Sequence, residues 1–248
     1  MKRLDLALVD LALAPSRTKA QQMIEAGEVE IFAHGHWRVA EQASASLREP
    51  SHETIRVRPN SQTLKYVSRG GLKLESALKH LGLDPRGWKC LDLGISTGGF
   101  TDCLLQAGAS EVVGIDVGHG QLSAKLASDS RVKHFEGLNA RGLADSHVIP
   151  RQLDICVVDL SFISLLQIIP VLREVLPPGC RLLALVKPQF EVGREGLDKN
   201  GIVRDEKLFD EVKVKILGAL EKYGFSVKNY FPCELKGQDG NLEFFVFA

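Results

Sequence analysis

The stretch Trp88-Lys89-Cys90-Leu91-Asp92-Leu93-Gly94-Ile95-Ser96-Thr97-Gly98-Gly99-Phe100-Thr101-Asp102 constrains this chain more than any other. Apolar residues lead into Asp92, the run breaks into a glycine-bearing turn, and Phe100 to Gly108 reads as a helix. That order is how a parallel strand enters a tight loop and a crossover helix. Glycine in the turn opens backbone conformations closed to other residues and lets a ligand approach the main chain. At the end of such a strand, backbone N–H groups and the helix N-terminus face a ligand crevice. The spacing Gly94, Gly98, Gly99 is not the G-x-G-x-x-G that admits a pyrophosphate, and the Lys-Ser/Thr pair of a P-loop is missing.

About twenty residues later, Glu111-Val112-Val113-Gly114-Ile115-Asp116 forms a second short apolar strand ending in an acid. A carboxylate there is placed to accept from both hydroxyls of a ribose. Strand, glycine turn, helix, strand and acid together describe an adenosine-containing cofactor held without a phosphate cradle. S-adenosylmethionine suits the pattern best. A nicotinamide or other nucleotide stays open on these residues alone, as does a ligand-free α/β fold in which Asp92 and Asp116 merely end their strands.

A chain of 248 residues can hold one sizeable domain and a small one. With 44 % apolar and 25 % charged residues it has an ordinary globular composition. The five cysteines (Cys90, Cys103, Cys156, Cys180, Cys233) are scattered, without ligand spacing or a C-x-x-C pair, which predicts free thiols, no metal site and a reducing, cytoplasmic setting. No signal-peptide pattern or 18-residue apolar run argues for secretion or membrane spanning. The formal net charge is zero, so any contact with nucleic acid must rest on local patches.

Residues 1–60 read as a compact module of two helices and short strands. Leu4, Leu8 and Leu11 line one face of a helix over Arg3 to Leu13; Ser16 is a candidate N-cap for a second helix over Thr18 to Ala26, which Gly27 stops. Strands are expected near Glu28 to Phe32, Trp37 to Val39 and Thr54 to Val57. Arg3-Leu4-Asp5, Leu13-Ala14-Pro15-Ser16-Arg17-Thr18-Lys19-Ala20 and Ile24-Glu25-Ala26-Gly27-Glu28-Val29 together resemble the S4 RNA-binding domain. The resemblance implies that Arg3, Arg17 and Lys19 meet structured RNA. Where that family usually carries a Val-Asn-Gly turn, this chain has Ile31-Phe32-Ala33-His34-Gly35-His36, and basic and acidic residues balance at eight each over 1–60.

Pro59-Asn60-Ser61-Gln62-Thr63 marks a boundary, with 61–68 as linker into the domain 61–248. A helix to about His80 follows, burying Leu74, Ala77, Leu78 and Leu81 and carrying Lys73 in its first turns, where a cation is slightly unfavourable and hints at another task. Lys65 and Arg69 add positive charge nearby. Further on, Arg131 to Phe135 reads as a strand that delivers Asn139 to the crevice edge, near an adenine. Leu153 to Asp159 reads as a central strand ending in an acid, and Cys180 to Val186 as a buried strand ending in Lys187. Val192 to Arg204, with Arg194, is a long loop suited to a lid over substrate. A helix over Glu206 to Tyr223, a strand near Ser226 to Pro232 and a last strand over Leu242 to Phe247 complete the domain, and Glu243 interrupts that last strand with a carboxylate in need of a partner.

Five blocks in order are similar to the TlyA family, which joins an S4 domain to an FtsJ-like RNA ribose methyltransferase domain: Val67-Ser68-Arg69-Gly70-Gly71-Leu72-Lys73-Leu74, Asp92 through Asp102, Val158-Asp159-Leu160-Ser161-Phe162-Ile163-Ser164, Leu185-Val186-Lys187-Pro188-Gln189-Phe190-Glu191, and Gly240-Asn241-Leu242-Glu243-Phe244. The resemblance implies a Rossmann-like methyltransferase sheet behind a small α+β domain. It further implies S-adenosylmethionine as cofactor, ribosomal RNA as partner with a cytidine 2′-hydroxyl as acceptor, and the tetrad Lys73, Asp159, Lys187, Glu243. For the cofactor it implies Asp92, Gly94, Ser96, Thr97, Gly98, Gly99, Phe100, Asp116 and Asn139; for RNA, Arg3, Arg17, Lys19, Lys65, Arg69 and Arg194. In-line transfer of a methyl group asks the ribose oxygen to lose its proton as it attacks, and Lys187 is the expected base or orienting group. A base role needs its pKa lowered from ~10.4 toward ~7–8. Lys73 would favour the developing alkoxide while the two carboxylates orient lysines and hydroxyl. Some members of the family are called haemolysins; a cytotoxin, or a cofactor- and RNA-binding protein without catalysis, is the alternative.

Overall fold

The computed structural model describes residues 1–59, 61–237 and 239–248. The chain divides into two compact units, Met1–Arg69 and Gly70–Ala248.

In the first unit, β1 (Lys2–Arg3) leads into α1 (Leu4–Asp10), and Pro15-Ser16 separates it from α2 (Arg17–Glu25). The Ser16 hydroxyl accepts from the Lys19 N–H at 3.2 Å, the N-cap that the sequence predicts. Strands β2 (Val29–Ala33) and β3 (His36–Val39) form a hairpin. Then β4 (Ser46–Leu47) returns to pair with β1, a pairing that two-residue strands do not announce in sequence, and β5 (Ile55–Val57) pairs with β2. The hairpin turns on His34-Gly35, both at positive φ (53° and 83°). That is the two-residue turn in which Asn-Gly is common, so the departure from Val-Asn-Gly keeps the geometry. Leu4, Leu8, Met23, Ile24, Val29, Ile31 and Ile55 make the core.

The segment 61–68, expected as a linker, belongs to this unit. Its short helix α3 (Gln62–Lys65) is held by Glu28, whose carboxylate accepts from the Ser61 hydroxyl and from the Thr63 N–H at 3.0 Å. Lys19 Nζ donates to the Tyr66 carbonyl at 3.0 Å. A half-buried carboxylate and a buried ammonium each needed a partner, and residues 61–66 supply both. Asn60, at the predicted boundary, lies outside the described residues.

The second unit opens with α4 (Gly70–Leu81) and then alternates strand and helix: β6 (Lys89–Leu93), α5 (Gly99–Gln106), β7 (Glu111–Ile115), α6 (Ala124–Ala127), β8 (Val132–Phe135), α7 (Leu143–Ser146), β9 (Ile155–Val158), α8 (Ile169–Val175), β10 (Arg181–Val186), α9 (Lys207–Lys222), β11 (Asn229–Pro232) and β12 (Phe244–Phe247). The sheet order is β11-β12-β10-β9-β6-β7-β8, with β12 antiparallel to both neighbours and the remaining pairs parallel. The chain builds outward from β6 through β7 to β8, then crosses back to β9, so the order reverses between β6 and β9. Ligands of open α/β sheets bind at that point, beyond the carboxyl ends of the strands.

Strands covered on both faces read as continuous apolar runs, and Ile155-Cys156-Val157-Val158 is buried throughout. On one face Val158, Leu182, Ala184 and Val246 pack with Leu172 of α8 and Val212, Ile216 and Leu220 of α9. On the other, Phe245 stacks with Phe100 of α5 (6.4 Å between ring centroids) and with Phe231 (5.8 Å). The five cysteines are all free thiols.

Two strand ends meet closely at the reversal. Gly94 has φ of 92°, and a Cβ there would overlap the carbonyl oxygen of Asp159. Replacing Gly94 with Ala should therefore force β6 and β9 apart as well as strain the backbone, a loss of about 2 kcal/mol or more in urea unfolding. A Gly94→Ala protein as stable as wild type would show that the close approach is not needed.

Candidate active site

A cleft of about 560 Å³ opens at the carboxyl ends of β6, β7 and β9. Leu93, Ile115, Leu138, Leu160 and Ile163 give it apolar walls, and Asp116, Asn139, Ser96 and Asp159 bring polar groups to its edge. Asp116 is held at the end of β7 by two backbone donors: Ser96 N–H to Oδ2 at 2.8 Å and Gly118 N–H to Oδ1 at 2.7 Å. A carboxylate oxygen has two lone pairs, so each oxygen can still accept from a ligand. Asn139 lines the cleft while its side-chain oxygen accepts from the Arg141 N–H at 3.0 Å. The charged side chains at the lining are Asp116, Asp159 and Arg141. Acids outnumber bases, which suits a cationic, adenosine-bearing ligand better than a pyrophosphate. The residues present thus fit S-adenosylmethionine.

Gly94, Ser96, Asp116 and Asn139 line this cleft; the other expected cofactor residues do not. Thr97 is exposed beside it, with its carbonyl accepting from the Ser123 N–H. Gly98, at φ 95°, is the N-cap of α5, and a Cβ there would overlap Leu126. Gly99 and Phe100 are buried, the phenyl ring in the core against Phe245. The reason is that α5 starts at Gly99 and is buried on all sides from Gly99 to Leu105. Asp92 is fully buried too. One of its oxygens accepts from the Thr101 hydroxyl (2.6 Å) and N–H (3.0 Å), while the other has no partner. It braces the start of α5 from beneath the glycine turn, and Thr101 is a partner that sequence reasoning missed.

The tetrad comes together as two ion pairs on neighbouring strand ends. Val186 pairs with Phe244 across β10 and β12, which sets Lys187 opposite Glu243 one residue further out; Ala184 pairs with Val158, so Asp159 ends the next strand over. Lys187 Nζ lies 2.7 Å from Asp159 Oδ1, an ion pair rather than an aligned hydrogen bond, and donates to the Ser161 hydroxyl at 2.8 Å. Lys73 Nζ donates to Glu243 Oε2 at 2.6 Å, and both residues of this pair are buried. Burial pushes the Cys233 thiol up; against it the Lys73 charge pulls down, while Glu243 and Asp159 push up, so charges from both pairs act on one sulfur. Asp159 belongs to the cleft as well as to a pair, which joins cofactor space to tetrad.

Three supporting residues were not legible as such. Ser161 holds Lys187. Glu191 accepts from the Ser164 hydroxyl (2.6 Å) and the Leu165 N–H (2.7 Å), pinning the segment after Asp159. Asn241 ties down the loop expected as a lid, donating to the Gly201 carbonyl and accepting from the Val203 N–H. That loop is a small folded hairpin closed by Asp198 and a bridge between Leu197 and Val203, with Arg194 exposed on it. In the first unit, Asp5 is fully buried and accepts from Arg3 (3.0 and 2.9 Å), Arg17 (2.9 Å) and Gln21 (3.0 Å), which hold its carboxyl well below the usual range. Arg3 and Arg17 stay about half exposed around it. Lys19 departs from expectation: it is only 7 % exposed, and its ammonium donates to the Tyr66 carbonyl. Lys65 is exposed near the Tyr66 ring, and Arg69 is half-buried.

Comparison with known proteins decides the family. Residues 66–248 match FtsJ-like methyltransferase. The chain belongs to that family. It is 40 % identical over 245 residues to YqxC of Bacillus subtilis, covering 99 % of this chain and 84 % of that one. It is 37 % identical over 245 residues to the 16S/23S rRNA (cytidine-2'-O)-methyltransferase TlyA of Mycobacterium tuberculosis (99 % and 88 % covered), and 37 % identical over 242 residues to Hemolysin A of Brachyspira hyodysenteriae (98 % and 97 %). A solved structure from Streptococcus thermophilus superposes with a TM-score of 0.74 at 36 % identity, over 99 % of this chain and 87 % of that one. The protein is thus an enzyme of the methyltransferase class with S-adenosylmethionine as its cofactor, in the Rossmann-like fold expected from the sequence.

Asp92 makes the site pH-sensitive. Burial pushes its carboxyl up to about 7; the Thr101 hydrogen bonds oppose this, and the charges of Asp159 and Asp116 add to it. Between about pH 4 and pH 7 the native state then keeps a proton that the unfolded chain has lost, so stability falls as pH rises through that window. Urea unfolding at about pH 5 and pH 8 should show a larger loss for wild type than for Asp92→Asn, which has no proton to lose. Parallel losses in the two proteins would show that Asp92 ionises freely.

Proposed function

We propose that the protein transfers the methyl group of S-adenosylmethionine to a ribose 2′-hydroxyl of ribosomal RNA, that of a cytidine, working in the cytoplasm where ribosomal subunits are found. The observation that carries this reading is the pair of ion pairs, Lys187–Asp159 and Lys73–Glu243, set on adjacent strand ends beside the cleft. The names of the relatives support the substrate: one is a 16S/23S and another a 23S rRNA (cytidine-2'-O)-methyltransferase. Among the described residues, no helix is long and apolar enough to cross a membrane.

When bound, S-adenosylmethionine supplies an electrophilic methyl group on a sulfonium. Asp116 would accept from the ribose hydroxyls, Asn139 would meet the adenine edge, and Gly94 and Ser96 would bound the ligand at the cleft lining. On the acceptor side Lys187, held between Asp159 and Ser161, orients the RNA 2′-oxygen toward the methyl carbon. As the methyl group passed to the oxygen and the sulfonium became a neutral thioether, the hydroxyl proton would go to the carboxylate of the Lys187–Asp159 pair and on to solvent. Lys73, fixed by Glu243, places a second positive charge near the oxygen as it becomes anionic. Much of the rate comes from alignment of oxygen, carbon and sulfur. On the RNA side Arg3 and Arg17, presented by Asp5, contact phosphates, with Lys65, Arg69 and Arg194 as further basic contacts.

The test uses methyl-labelled S-adenosylmethionine with purified small and large ribosomal subunits, and maps the product by mass spectrometry. Lys187→Ala is the informative variant, because Lys73→Ala would leave the Glu243 charge buried and unpaired, at a cost of about 3–5 kcal/mol in folding. Wild type should place label in a 2′-O-methylated cytidine, and Lys187→Ala should lower the rate by roughly 10²-fold or more with cofactor binding retained. Cofactor binding without transfer to any subunit, assembled or immature, would overturn the reading.

A further inference from the structure

The N-terminal sheet has an outer face that the reading above leaves unused. Val29 and Ile31 of β2 point into the core, so Glu30 and Phe32 point out. Register places Arg56 and Val39 beside Glu30, and Trp37 beside Phe32. Glu30 takes one guanidinium on each carboxylate oxygen, Arg56 Nε at 2.7 Å and Arg58 Nε at 3.1 Å. Both arginines are held through Nε; among the described residues their terminal nitrogens have no hydrogen-bond partner, and both side chains are half exposed. Arg56 and then Arg58 hold the Glu30 carboxyl below its usual range, so it stays charged and keeps orienting them. The Arg56 guanidinium sits 4.2 Å from the centre of the Trp37 ring. Phe32 meets Trp37 edge-on at 5.4 Å and is 45 % exposed, uncommon for a phenylalanine. Arg58 also lines a shallow depression with Ser61, Gln62 and Lys65, which extends the positive strip.

We propose that this face is a second RNA-contacting surface, in which the terminal nitrogens of Arg56 and Arg58 hold backbone phosphates and Phe32, backed by Trp37, meets an unstacked base. Charge complementarity selects the occupant: two arginines oriented by one carboxylate next to aromatic rings, with Lys65 beyond them and the Glu28 carboxylate engaged by Ser61 and Thr63, match a phosphodiester strand with exposed bases. The assignment rests on the RNA methyltransferase reading but names residues outside the S4 resemblance and outside the tetrad.

The test measures binding of the full-length protein to protein-free ribosomal RNA over a salt series, whether or not methyl transfer occurs. Two lost phosphate contacts should lower the slope of log K against log salt by roughly 2 in Arg56→Gln/Arg58→Gln, with affinity down tenfold or more near 0.1 M salt. The charge-keeping pair Arg56→Lys/Arg58→Lys should retain the slope and recover part of the affinity. Phe32→Ala should weaken binding about tenfold with the slope unchanged. Thermal melting of each variant checks the fold, and transfer under saturating RNA should keep the wild-type kcat while KM rises. Folded Gln variants with wild-type affinity and slope would overturn the surface. Variants impaired on intact subunits but not on protein-free RNA would overturn it too, and assign the face to a ribosomal protein. RNA binding with the expected slopes but no methyl transfer by wild type would instead sink the enzymatic reading and leave this surface standing.

Discussion

The close approach of two parallel strand exits, Gly94 just after β6 against the carbonyl of Asp159 just after β9, is the constraint on which the catalytic unit depends. The sheet order reverses at that junction, and a ligand cleft forms only if the two exits stay near each other without a side chain between them. On one side of the contact lie Ser96 and Asp116, with their backbone-donated hydrogen bonds. On the other lies Asp159, which reaches Lys187. Asp159 therefore belongs both to the cleft lining and to the ion pair with Lys187.

Two buried carboxylates meet opposite fates, one kept ionised by dedicated donors and one pushed toward its neutral form. Asp5, with two arginines and a glutamine, is the first kind. Glu243, with Lys73, also has its donor. Asp92, with one oxygen unpartnered, is the second. Each outcome serves a different end. Asp5 aims Arg3 and Arg17, and Glu243 takes the hydrogen bond of Lys73. The acid pushed up beneath the glycine turn fastens Thr101 and the start of α5 with less charge in the sheet. Removing any one partner exposes the other to the full cost of burial, so these residues are coupled to stability as well as to chemistry.

Much of this was legible in the residues. The strand–turn–helix around Asp92, the strand ending at Asp116, the strands ending at Asp159 and Lys187, and the cap at Ser16 follow from local patterning, because periodicity and turn chemistry act over a few residues. The errors have a common source as well. Gly98, Gly99 and Phe100 look like part of a binding turn, yet α5 begins at Gly99 and is buried from there to Leu105. Lys19 looks like a surface cation, yet the unit's own residues 61–66 fold over it. Residues 61–68 look like a linker because their composition is polar, but Glu28 and Lys19 need them as partners.

By itself, the sequence determined the succession of elements and the chemical type available at each strand end, since these depend on neighbours a few positions away. Only the tertiary structure decided which ends share a site and which lysine meets which acid. Lys73 and Glu243 are 170 residues apart in the chain and form a pair only because the fold brings α4 to the residue that precedes β12. The same holds for Arg56, Arg58 and Trp37, whose cluster on Glu30 exists through strand register alone. Contacts of that range depend on the closing of the whole sheet, and no local pattern encodes them.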